Sequence, residues 1–201
     1  MKHSSQWLKF LQLAALALFA IGVPALAHAH VGIVHTSGWV HGLAHPVGGL
    51  DHVCAMVAVG LWAAQMGGRS VWLVPLTFIA VMALGGALGM AAVPLAFTEQ
   101  GIVMSLLVLG VLIAAAIRLP LAVSAAVVGV FALCHGYAHG AEMPQSTSGL
   151  AYAAGFMLST ALLHASGIGM ALFTKGIGRV EWLRLAGIAI TLCGGGLLFA
   201  G

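Results

Sequence analysis

The segment "HPVGGLDHVCAMVAVGLWAAQMGG" (residues 45–68) sets His45, Asp51 and His52 at the head of an almost wholly apolar run. A second segment, "CHGYAHGAEMP" (residues 134–144), sets His135, His139 and Glu142 at the tail of another. On a helix, residues seven apart fall within about 20° of each other, so His45 and His52 share a face, and His41 joins them four residues earlier. Asp51 points about 100° away from His52. Pro46 suits a first helical turn, which leaves His45 at the edge of the regular helix. His135, His139 and Glu142 follow i, i+4, i+7 spacing and share one face if the helix persists past Gly136 and Gly140. Imidazole and carboxylate together suit nickel, cobalt, zinc, copper or iron. Such groups are costly against lipid, so in a membrane they face the bundle interior and mark a pathway.

The elements that position them are membrane helices. The chain is 62% hydrophobic and 5% charged, with a mean hydropathy of +1.12. Soluble domains carry about 25% charged residues, so no water-soluble surface can be built here. A net charge of +3 with no basic tract gives no reason to invoke nucleic acid. The three cysteines, Cys54, Cys134 and Cys193, all sit in apolar runs. They read as small packing residues rather than a disulfide framework. Residues 1–29 read as a cleavable signal peptide: Lys2 and Lys9, an apolar stretch from Leu11 to Val23, then Pro24 and the small-x-small sites Ala25–Ala27 and Ala27–Ala29. Residues 30–201 are expected to form one all-α, polytopic bundle of six transmembrane helices. The apolar stretches lie at 43–65, 71–93, 101–117, 120–138, 149–173 and 182–200.

If the first span enters from outside, loops one, three and five are cytoplasmic. They hold Arg69, Arg118, Lys175, Arg179 and Arg184, every basic residue after the signal peptide, as the positive-inside rule requires. Both mature termini are then outside. The first span carries its His/Asp group early and the fourth carries its His/Glu group late. With opposite directions, both groups reach the outer part of the membrane, and they are expected to build one shared metal site. Spans one and four in opposite orientations also fit a three-plus-three inverted repeat. His164, in "GFMLSTALLHASGIG", lies about 22 Å along the fifth span, midplane or deeper. It reads as a hydrogen-bonded core histidine or as a second step on an ion path, with Cys54, Cys134 and Met56 as possible soft ligands beside it. His28, His30 and His35 in the mature leader are candidates for metal capture.

The three quoted motifs together resemble the HupE/UreJ family of bacterial hydrogenase and urease accessory proteins, over the whole mature chain. The resemblance implies a secondary transporter for nickel or cobalt. It places the family's metal-associated residues on His45, Asp51, His52, His135, His139 and Glu142. Cys134 departs from the family pattern, where an aromatic is expected. The expectation is therefore an inner-membrane permease that takes up Ni²⁺, or else Co²⁺, as substrate, with no permanently bound cofactor and no catalytic role. Its metal path comprises those six residues and His164. Its partners are the ion and the bilayer, with an indirect link to nickel enzymes such as hydrogenase and urease. No "GxxxxGK" loop is present, and nothing points to an ATPase subunit. The rivals are a histidine-box membrane metalloenzyme and a metal chaperone or sensor that moves no ion itself.

Overall fold

A computed structural model describes residues 38–143 and 148–200. The expected signal peptide and His28, His30 and His35 lie outside the described residues. All regular structure among the described residues is helical: α1 (Gly38–Ala44), a 3₁₀ turn (His45–Val47), α2 (Leu50–Met66), α3 (Ser70–Met90), α4 (Thr98–Ala114), α5 (Leu121–Ala141), α6 (Gly149–Gly176) and α7 (Glu181–Ala200). Each expected span has its helix, with boundaries displaced by a few residues.

One expectation needs correction. The first span is not one straight helix. The stretches Gly38–Val47 and Leu50–Met66 meet at 81°. Pro46 opens the 3₁₀ turn and Gly49 is extended at φ −113°, so the helical ladder is broken between them. Hydropathy alone reads straight through such a break. Four helices, α3, α5, α6 and α7, are long and apolar enough to cross a membrane, and the bent pair makes a fifth. The remaining one, α4, has 17 residues. The chain is thus a multi-pass helical membrane protein with four to five candidate spans among the described residues.

Glycines set the seams between helices. On α3, Gly85 and Gly89 press on the backbone of Leu133 and Tyr137; on α5, Gly136 and Gly140 press on that of Met82 and Gly86. A Cβ at any of the four would run into a carbonyl oxygen. Gly60 and Gly167 do the same between α2 and α6, Gly42 and Gly155 between α1 and α6, and Gly110 and Gly187 between α4 and α7. Lipid gives no hydrophobic drive for helix association, so close backbone approach and dispersion must supply it. The tightest seams therefore join α3 to α5, α6 to both halves of the bent pair, and α4 to α7; numbered as the six expected spans, these are two with four, five with one, and three with six. A three-plus-three repeat exchanges the first two seams and keeps the third.

The bundle has a polarity. Lys175 donates to the carbonyl of Ala64 and Arg184 to that of Ala114, at 2.8 Å for the latter. Both satisfy helix C-terminal carbonyls that have no partner in their own helix. Arg69 follows the end of α2 and Arg118 the end of α4, so the basic residues gather at one end. The His/Asp/Glu groups lie at the other.

Candidate metal centre

The break in the first span shapes the site. It turns α1 aside and exposes the N-terminus of α2 to a cavity of about 440 Å³, lined by His41, His45, Asp51, His52, His139 and Glu142 among others. Gly49 is needed at the break. A Cβ there would stand 2.6 Å from Asp51 Oδ1 and 3.0 Å from His52 Nδ1. Asp51, in the first turn of α2, accepts from the backbone N–H of His52 at 2.9 Å and contacts its Nδ1 at 2.8 Å. A carboxylate oxygen accepts, so Nδ1 holds the proton and Nε2 keeps its lone pair.

α5 continues through Gly136 and Gly140, so His135 and His139 share a face as the spacing predicts. His135 is fully buried and His139 is 4% exposed. Ser105, fully buried on α4, donates its only hydrogen to the Ile102 carbonyl at 2.6 Å. Its 3.1 Å contact with His135 is therefore Nε2–H donating to Ser105 Oγ, which leaves Nδ1 as the free base. His52 Nε2, His135 Nδ1 and both ring nitrogens of His139 are buried with no hydrogen-bond partner. Buried polar groups are normally paired. One ligand atom from each of His52, His135 and His139 lies within 4.8 Å of the others. A second group, His45, His139 and Glu142, meets the same limit.

The two groups share His139 and differ in exposure. His45 Nε2 contacts Glu142 Oε2 at 3.2 Å, and the Glu142 side chain is 60% exposed. The imidazoles stack edge-on from mouth to interior: ring centroids are 4.7 Å apart for His45–His139, 4.2 Å for His52–His139 and 5.0 Å for His52–His135. Phe156 lies against His139 at 4.3 Å and Tyr152 against His45 at 5.8 Å, walling the site from α6.

All six residues expected at the shared site therefore come together, although Asp51 acts on His52 rather than facing the cluster. The bend removes the common helix face of His41, His45 and His52; His41 lines the cavity but belongs to neither ligand group. His164 stands apart. Its Nδ1–H donates to the Met56 carbonyl at 2.8 Å, its Nε2 is buried and unpartnered, and its ring contacts Phe78 at 5.1 Å. The Met56 group it meets is the carbonyl, not the sulfur. No cysteine joins a ligand group among the described residues, and Cys134 packs against Gly101. Sequence reading missed Ser105 and Phe78. A lone serine or phenylalanine in an apolar run carries no signal of a partner 30 or more residues away.

Comparison with known proteins identifies the family. The family described as HupE / UreJ protein matches residues 16–197. "Protein HupE" of Rhizobium leguminosarum bv. viciae is 45% identical over 181 residues, 90% of this chain and 94% of its own length. No solved structure matches.

Proposed function

The chain belongs to the HupE/UreJ family, and on that premise we propose that it is a secondary transporter taking up a divalent transition-metal ion, Ni²⁺ or Co²⁺. The observation that carries the reading is the grouping of His52, His135 and His139, each with an unpartnered buried ring nitrogen, beside an open cavity that His52 and His139 line. A structural core has no use for them. An ion shedding water does.

In this reading α4 also crosses, since 17 residues reach the lower limit for a span, and both mature termini face outside. The cavity then opens to the periplasm. The exposed group of Glu142, His45 and His139 captures the hydrated ion. The buried group of His139, His52 and His135 takes it next. His139 belongs to both groups, so its one lone pair stays on the ion while the other ligands exchange and the ion moves inward. Asp51 and Ser105 hold His52 and His135 in the tautomers that offer lone pairs. Such outer partners also raise ligand basicity. His164 is the next base along.

The driving force needs no ATP. An inside-negative potential is worth about 2.3 kcal/mol per charge per 100 mV, hence about 4.6 kcal/mol for a dication, or roughly 2,000-fold accumulation. Histidine and carboxylate donors also bind copper more tightly than nickel, so selectivity must come from geometry and supply.

The test is uptake of radioactive nickel by proteoliposomes under an imposed inside-negative potential. Wild-type accumulation of nickel should rise steeply with the potential, with Co²⁺ competing better than Zn²⁺ or Mn²⁺. His52→Ala and His139→Ala should abolish uptake. Tight retention of one metal per chain without uptake would overturn the reading in favour of a chaperone or a metalloenzyme.

A further inference from the structure

Phe78 stands where the metal path should continue. It is fully buried on α3, and its ring centroid is 5.8 Å from that of His135 and 5.1 Å from that of His164. The contact with His164 is edge-on, at 86°. On one side lies the triad that opens to the cavity. On the other lies an imidazole 1% exposed, whose Nε2 has no partner. One turn further along α3, Met82 is also buried, and Thr160, one turn before His164 on α6, donates to its sulfur at 3.7 Å. The phenyl ring thus touches both the outer triad and the inner imidazole base.

We propose that Phe78 is the gate between the outer triad and an inner metal station at His164. The proposal deepens the permease reading and rests on it. With the ring in place, neither water nor an ion with its remaining ligands passes from His135 to His164. Hydrophobic constrictions of this kind close channels by excluding water. Rotation of the ring about its χ angles, or a small slide of α3 on α5 along their glycine seam, opens the way. The closed ring keeps the inner base dry while the outer triad loads. Without it, the histidines would line one continuous wet path, and an ion could slip back as easily as forward.

The test measures water access to the inner station without relying on transport. In a background with Cys54, Cys134 and Cys193 changed to serine, His164→Cys is treated from the cavity side with a small cationic methanethiosulfonate reagent. With Phe78 intact the thiol should react slowly. Combining it with Phe78→Leu should speed labelling severalfold, and with Phe78→Ala at least tenfold. Cobalt binding at the outer triad, read by its visible absorption, certifies that each variant is folded; Phe78→Leu keeps most of the bulk should Phe78→Ala fail to fold. In the native-cysteine protein, Phe78→Trp should slow nickel uptake while leaving cobalt binding at the triad within about twofold. Labelling that is equally slow, or equally fast, with and without Phe78 in folded protein overturns the gate. If labelling depends on Phe78 while wild type moves no nickel, the gate stands and the permease reading falls.

Discussion

Replacing Ser105 by alanine isolates the step from hydrogen bond to metal affinity. Ser105 Oγ has one hydrogen, and the Ile102 carbonyl at 2.6 Å takes it. The His135 ring is fully buried, and its Nε2–H has Ser105 Oγ at 3.1 Å as its partner. In Ser105→Ala that donor is stranded. Leaving a buried donor unpaired costs about 1–3 kcal/mol. The ring can escape by shifting its proton to Nδ1, but this removes the lone pair of the nitrogen that has no other partner. Either route penalises the form that binds metal. Loss of a comparable outer partner weakens metal affinity about 10–100-fold, which is about 1.4–2.7 kcal/mol. The assay is cobalt titration of detergent-solubilised protein followed by visible absorption. Histidine ¹⁵N shifts of the metal-free protein should report a change in the His135 tautomer. Ser105→Thr keeps a hydroxyl and should recover most of the affinity. Wild-type cobalt affinity in Ser105→Ala, with the tautomer unmoved, would refute the assignment.

Three other outcomes follow from the same geometry. His139 belongs to both ligand groups and His45 to one, so His139→Ala should weaken cobalt binding at least about tenfold more than His45→Ala, measured by the same titration. Gly140→Leu should destabilise the α3–α5 seam by about 1–3 kcal/mol or more and lower the melting temperature in detergent, whereas Gly195→Leu, with open space around it, should leave it unchanged. Protons and metal compete for the same imidazole lone pairs, so metal affinity should fall on acidification, but only at a pH low enough to charge rings that are buried; an affinity that rises as pH drops would remove imidazole from the ligand set.

Much of this was legible in the sequence because hydropathy and charge are local signals. Each apolar stretch became a helix, and Arg69, Arg118, Lys175, Arg179 and Arg184 gathered at one end as loop counting required. The i, i+4 spacing of His135 and His139 survived because α5 runs unbroken through two glycines that its neighbour α3 needs for close approach. The bend at Gly48–Gly49 was not legible, since an apolar pattern reports burial and not direction. That bend decides the site. It separates His45 from His52 in secondary structure yet brings both to His139. Ser105 and Phe78 were hidden for another reason: their roles depend on which helix faces them, and an all-round apolar helix does not reveal its neighbours.

The arrangement is hard to explain by stability. An unpaired buried polar atom costs about 1–3 kcal/mol, and nitrogens of His52, His135, His139 and His164 are in that state among the described residues. Leucine at these positions would remove the cost in a bundle that already packs through its glycine seams. What the histidines offer is a graded series. The Glu142 side chain at the mouth is 60% exposed, that of His45 is 31% and that of His52 is 13% exposed, while His139 is 4% exposed and His135 is fully buried. A hydrated dication cannot lose its water in one step without a large barrier. It can exchange one water for one lone pair at a time, provided each new ligand lies within reach of the last. Ring centroids spaced 4.2–5.0 Å apart meet that condition from His45 to His135, and the series is interrupted only where Phe78 intervenes.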